Sequence, residues 1–123
     1  MASELDRKAS TMVGGMSLRV EKTGRAPEEA GGSRMQFLYE VRAGEHVYRG
    51  TDLYAGVGMD VSASRMVGVL AGFLSKAGER YRSGMCPPDD AYPEWVYEQA
   101  YLNEDELAMA SFDHPGADRV LAW

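Results

Sequence analysis

The sequence predicts an α+β fold: a three-stranded antiparallel meander packed against one long helix and followed by short C-terminal helices. Three observations predict this fold. Apolar residues alternate with a period of two within 16–54, and an apolar period of 3.6 residues runs over 62–84. The predicted strands also precede the predicted helices along the chain. At 123 residues and 45% hydrophobic content, the chain is long enough for one core. We therefore expect a single α+β domain over 16–123. The polar, non-periodic residues 1–15 are expected to form a flexible tail.

The first predicted strand is MSLRVEK, residues 16–22, in which Met16, Leu18 and Val20 alternate with polar side chains. Its apolar side chains would share one face of the sheet, because successive side chains of a strand point to opposite faces. Residues 23–33 are rich in glycine and charged residues, so we expect a loop there.

The next two strands are predicted as a hairpin over 35–54, with Gly44 and Glu45 as a two-residue turn. That turn brings Glu40 opposite Arg49, an opposite-charge pair that favours this register. An aromatic ring over a cross-strand glycine favours it too. The predicted pairs on the apolar face are Ala43–His46, Val41–Tyr48, Tyr39–Gly50, Phe37–Asp52 and Met35–Tyr54.

A long helix is predicted over 62–84, with Ser62 as its N-cap and Gly84 just past its C-terminus. Its apolar stripe would cover one face of the sheet. Gly68 and Gly72 form a small-residue face, which favours close packing within the fold or, alternatively, a homodimer seam.

Two prolines, Pro87 and Pro88, separate this helix from the C-terminal segment. There we expect one short helix capped by Asp90 and running through Tyr101, then one or two further turns capped by Asn103.

The glycines of DLYAGVGMDVSASRM, residues 52–66, suggest a phosphate-binding loop, but the rest of the motif is missing. Val61 stands where a dinucleotide-binding fingerprint needs its third glycine, and no lysine occurs between 51 and 75. The single Cys86 excludes an intrachain disulfide. The two histidines, His46 and His114, show no metal-ligand spacing. We therefore expect no cofactor, no metal and no catalytic activity.

Charge divides the chain. Residues 1–82 carry 12 basic and 10 acidic side chains, whereas residues 83–123 carry one basic and nine acidic side chains. The net charge of the whole chain is therefore −6. The second segment mixes acids with aromatic residues, which are common in protein interfaces. The predicted protein-binding residues are Tyr92, Trp95, Tyr97, Glu98, Tyr101, Glu104 and Asp105.

The alternative function is nucleic-acid binding by the sheet. Arg19, Arg34, Arg42 and Arg49 would contact phosphates, and Tyr48 or Tyr54 would stack on bases. The net negative charge disfavours it.

Three segments, GTDLYAGVG, MVGVLAGFLSKAGERY and WVYEQAYLNEDELAM, resemble those of small uncharacterised accessory proteins encoded by bacteriophages of actinobacteria. The resemblance covers roughly residues 35–110. It implies a protein that works in the cytoplasm of the infected bacterium by binding a host protein. The sequence itself shows no secretory signal and no apolar run of membrane-spanning length, so we expect a cytoplasmic protein without a membrane anchor.

Overall fold

The computed structural model describes residues 7–25, 34–56, 60–88 and 92–101. Over these residues the chain has the predicted α+β arrangement, with one antiparallel sheet and two helices on the same side of it. The strands, in their order across the sheet, are β1 (Lys8–Val13), β2 (Met16–Arg25), β3 (Met35–Ala43) and β4 (His46–Tyr54). The helices are α1 (Ala63–Arg82) and α2 (Glu94–Tyr101).

The sheet has four strands, so the prediction of three is wrong. The additional strand, β1, lies inside the segment 1–15 that we expected to be a tail, and it pairs with β2 from Lys8–Glu21 to Val13–Met16. Its alternation is weak because Ala9 and Thr11, which face the helices, are small or polar and only half-buried. A strand is predicted from large apolar side chains at every second position. In β1 only one such side chain, Val13, is fully buried, so the pattern is too weak to predict this strand.

The β3–β4 hairpin has the predicted register near its turn, including the Tyr39–Gly50 and Glu40–Arg49 pairs. Farther from the turn the prediction is wrong, because β4 contains a bulge: Phe37 pairs with Leu53, and Gln36 pairs with Tyr54. One extra residue in β4 reverses the faces of the residues that follow it. Consequently Leu53 enters the core, where it is 1% exposed.

One face of the sheet, which we call the covered face, packs against both helices. Helix α1 lies on β1 and β2, α2 lies on β2 and β3, and the two helices contact each other. The largest fully buried side chains are Tyr39, Tyr97, Phe37, Met16, Leu18, Leu53, Met66, Leu70, Leu74, Val13, Val20 and Val41. They come from all four strands and both helices, so a single core holds these elements together.

Helix α1 confirms the predicted helix and both of its ends. The Ser62 hydroxyl accepts a hydrogen bond from the Arg65 backbone N–H at 3.1 Å, and Gly84 has a φ of +82°. Gly68 is buried and Gly72 half-buried within a single chain. Gly68 thus packs closely within the protomer, and a homodimer seam through this helix face stays a prediction.

Helix α2 confirms the short helix that the sequence predicts through Tyr101. Its first turn is closed by a hydrogen bond from the Val96 N–H to the Pro93 carbonyl at 3.0 Å. The expected cap Asp90 and the turns after Asn103 lie outside the described residues. Neither of the two helices in the described ranges is long and apolar enough to cross a membrane.

Candidate binding surface on the open sheet face

The second face of the sheet, which we call the open face, points away from both helices. No helix or strand within the described ranges packs on it. The strand registers align its side chains in rows that cross all four strands. The central row is Ser10, Arg19, Glu40 and Arg49, and the row nearest the hairpin turns is Met12, Ser17, Arg42 and Val47.

Glu40 lies at the centre of three arginines. Its carboxylate accepts a hydrogen bond from Arg49 Nε at 2.8 Å, and it lies 3.5 Å from Arg42 Nη2 and 4.0 Å from Arg19 Nη1. The Glu40 side chain is only 13% exposed, whereas those of Arg19, Arg42 and Arg49 are 66%, 49% and 64% exposed. We call these three residues the arginine cluster. Glu40 holds Arg49 by this short hydrogen bond and attracts Arg42 and Arg19 over longer distances, and the exposed N–H donors of the cluster face solvent.

The arginine cluster keeps Glu40 ionised. The hydrogen bond from Arg49 lowers the pKa of the Glu40 carboxyl; partial burial opposes this, and the positive charges of Arg42, Arg49 and Arg19 add to the lowering. Near neutral pH the cluster and Glu40 therefore carry a local charge of +2. The cross-strand pair Lys8 and Glu21 adds no net charge, so these six open-face residues carry +2 together on a chain of net charge −6.

Apolar side chains lie beside the arginine cluster. Met12 is 48% exposed and Val47 is 39% exposed, and both belong to the row that contains Arg42. A cavity of about 490 Å³ has residues of both sheet faces in its lining, Arg19, Glu40 and Arg49 from the open face and Ala9, Val20 and Tyr39 from the covered face, and it reaches Ser64 and Val67 of α1. The surface thus combines fixed cationic groups with apolar contact area.

The aromatic residues predicted to bind a protein are placed differently. Tyr92 and Tyr97 are each 2% exposed and belong to the core, so a partner could not reach them in the folded chain. They are buried because their rings pack against those of Tyr39, Tyr48, Phe73 and Tyr81.

Trp95 and Glu98 are half-buried, and the Trp95 ring stacks on His46 with the centroids 4.8 Å apart. Their role in binding stays a prediction. The side chain of Tyr101, together with Glu104 and Asp105, lies outside the described residues.

The alternative set of basic residues is only partly brought together. Arg19, Arg42 and Arg49 form one cluster, but Arg34 precedes β3, six residues from Glu40, or about 20 Å along an extended strand. Of the two candidate stacking tyrosines, Tyr48 lies on the covered face, 5.3 Å from the Tyr92 ring. Tyr54 is half-buried and pairs with Gln36 near the far end of the sheet.

Sequence reasoning missed Val47 and two further contributors to this surface. Met12 was missed because β1 was not predicted. Glu40 was recognised only as the partner of Arg49, although alternation and the β2–β3 pairing also place it opposite Arg19. The signal that would have found both is the register of the two hairpins taken together.

Two tyrosine hydroxyls elsewhere are held in their neutral form. Burial raises the pKa of Tyr39 well above its usual range, with Tyr92 and the hydrogen bond to Asp52 at 2.6 Å adding to it. A hydrogen bond to Glu94 raises the pKa of Tyr81 to about 12. Both hydroxyls therefore act as structural donors at neutral pH.

Within the part of the chain that the structure describes, no three His, Cys, Asp or Glu side chains gather as a metal site. Cys86 is half-buried, with its Sγ 3.7 Å from the Pro87 carbonyl oxygen. Comparison of the chain with protein-family models, with curated proteins and with solved structures finds no match.

Proposed function

We propose that this chain is a non-enzymatic accessory protein of the phage type, which works in the host cytoplasm by binding a host protein through the open face. The observation that carries the proposal is the contrast between the two sides of the sheet. Both helices pack on the covered face, whereas the open face holds three exposed arginines around one carboxylate beside exposed Met12 and Val47.

This surface has the mixed character of a protein interface. Arginine is enriched at interfaces and carries much of their binding energy, and methionine adapts to irregular apolar partners. Arg49 is already held by Glu40 at 2.8 Å, so less side-chain entropy is lost when a partner binds it. The open face therefore fits protein binding better than the largely buried aromatic residues around α2 do.

The test is capture of a host protein by the tagged full-length chain from an actinobacterial lysate, divided into nuclease-treated and untreated halves. The double variant Arg19→Gln/Arg49→Gln removes two guanidinium groups from the open face, and Trp95→Ala changes the surface of α2. Arg80→Gln, at an exposed position on α1, is the matched control.

We expect one host protein to be retained after nuclease treatment, to be lost with the double arginine variant, and to be kept with Arg80→Gln. Loss with Trp95→Ala alone would move the binding surface to α2. Capture of no specific protein would contradict the proposal.

Nucleic-acid binding is the second candidate, because Arg19, Arg42 and Arg49 do gather on one sheet face. Single-strand recognition on a sheet also needs exposed aromatic rings, and Tyr48 is turned toward the core. If everything captured disappears after nuclease treatment, this second function replaces the first.

A further inference from the structure

We propose that the open face recognises an acidic segment of its protein partner, whose carboxylates bind the arginine cluster while its apolar side chains cover Met12 and Val47. This inference rests on the proposed function and adds the chemistry of the partner. It is carried by charge complementarity and by the arrangement of two neighbouring rows.

Two arginines of the central row provide the groups that would bind a carboxylate. Arg19 and Arg49 lie on either side of Glu40 in one row, and Glu40 accepts directly from Arg49 Nε. Each guanidinium has five N–H donors in a planar fork that matches a carboxylate or phosphate. Both side chains remain about two-thirds exposed, at 66% and 64%, so most of these donors are free to face an incoming anion.

Glu40 limits what this surface attracts. It reduces three positive charges to +2, so the cluster offers specific donor geometry with only a modest local field. A partner with a few carboxylates gains paired hydrogen bonds there. A polyphosphate, in contrast, is attracted only weakly by a local charge of +2 and is repelled by a chain of net charge −6.

The neighbouring row favours an acidic protein segment over a nucleic acid as the partner. Met12 and Val47 stand at the two ends of the row that contains Arg42, Val47 directly opposite Arg42 and Met12 two strands away, and they are 48% and 39% exposed. Burying them against apolar side chains contributes binding energy that a phosphodiester backbone does not supply. The surface thus favours a segment in which acidic and apolar residues alternate.

The test uses the full-length chain and a fluorescein-labelled peptide of alternating glutamate and leucine, measured by fluorescence anisotropy. Its glutamine–leucine counterpart is the matched probe without charge, and a single-stranded oligonucleotide of equal length is the competing class. The protein variants are Arg19→Gln/Arg49→Gln, Met12→Ser/Val47→Ser and the control Arg80→Gln, each checked first for an unchanged unfolding midpoint.

We expect the glutamate peptide to bind at least about tenfold more tightly than the glutamine peptide, since the lost contacts are charge-assisted hydrogen bonds. The affinity for the glutamate peptide should fall about tenfold in Arg19→Gln/Arg49→Gln and by a smaller factor in Met12→Ser/Val47→Ser. It should be unchanged in Arg80→Gln. Added salt should weaken binding of the glutamate peptide.

Equal affinity for the two peptides, tighter binding of the oligonucleotide, or no binding of any probe would each overturn the inference. These failures differ from a failure of the proposed function. If a captured host protein survives nuclease and is lost with the arginine variant while the glutamate peptide does not bind, the function stands and the acidic chemistry of the partner is wrong.

Discussion

Strand β3 presents two very different surfaces within four consecutive residues. On the covered face, Phe37 is fully buried and Tyr39 is 1% exposed. On the open face, Leu38 is half-buried and Glu40 holds three arginines at the surface. The same backbone thus serves the core with every second residue and an outward-facing charged cluster with the others.

Substitutions on the two faces should therefore have separable effects. Changes on the covered face remove apolar burial or create overlap, so they should lower the free energy of unfolding. Changes on the open face alter exposed ion pairs, each of which contributes only about 0.2–1 kcal/mol. They should change binding with little change in stability.

The largest expected effect is a difference in the free energy of unfolding between substitutions at two adjacent residues of β3, Phe37 and Leu38. Phe37→Ala should lower the free energy of unfolding by about 3–5 kcal/mol, because it leaves a cavity in the core. Leu38→Ala, on the open face, should cost about 1 kcal/mol or less. Urea unfolding of both variants checks this, and equal losses would mean that the two faces are not distinct.

The two hairpin turns offer a second matched pair. Gly14 and Gly44 have φ values of +59° and +61°, so alanine at either position is strained by about 1–2 kcal/mol. At Gly14 the added Cβ would also overlap the Gln99 backbone, with its carbonyl carbon 2.7 Å away, whereas at Gly44 nothing lies within 4 Å.

We therefore expect Gly14→Ala to cost about 2–4 kcal/mol and Gly44→Ala only the backbone strain. Thermal and urea unfolding provide the comparison. Similar losses for both variants would show that the β1–β2 turn does not pack on α2.

A third test concerns the tyrosine ring over Gly50. A Cβ at this position would lie 2.6 Å from Tyr39 Cζ and 2.9 Å from its Cε1, so Gly50→Ala should cost about 1–3 kcal/mol by overpacking. Replacing the ring by a smaller side chain should relieve the overlap. The double variant Gly50→Ala/Tyr39→Leu should therefore lose less stability than the two single losses added together. Simple additivity would argue against this contact.

A smaller effect is expected at alkaline pH. Because the hydrogen bond to Glu94 raises the pKa of Tyr81 to about 12, its contribution is complete below the ordinary tyrosine pKa and is lost as the pH rises toward 12. Glu94→Gln should move the ionisation of one tyrosine to lower pH, seen by ultraviolet absorbance. An unchanged titration curve would exclude this bond.

The smallest stability effect is expected on the open face at acidic pH. The pKa of Glu40 is lowered in the folded chain, so its contribution is present above its ordinary pKa and is lost as the pH falls through the folded value. The difference in unfolding free energy between the wild-type chain and Glu40→Gln should shrink on acidification. A difference that stays constant with pH would show that Glu40 is not stabilised by the arginines.

Much of the sheet near the second turn is predictable from the sequence. A two-residue turn fixes the register, so the Tyr39–Gly50 and Glu40–Arg49 pairs follow from position alone. The bulge in β4 is not predictable in this way. It is favoured because it places Leu53 in the core, a tertiary gain that no local pattern around Thr51 reveals.

The errors in the candidate site have similar origins. Tyr92 and Tyr97 stand among acids, which predicts a binding surface, but Tyr92 lies just before α2 and Tyr97 within it, and both pack into the core. Arg34 was grouped with the other arginines by composition, and only the strand register separates it from them. In both cases the residue types indicated interaction chemistry, whereas the packing decided which side chains are available.

The most direct test of the division between the two faces is a residue-by-residue map of binding by nuclear magnetic resonance, with the glutamate–leucine peptide added to the labelled full-length chain. We predict shifts of the Arg19, Arg42 and Arg49 Nε–H signals and of the Met12 and Val47 methyl groups. Arg80 on α1 and the buried Leu18 should keep their signals unchanged. Shifts confined to Trp95, Glu98 and their neighbours would contradict this division and place the binding surface on α2.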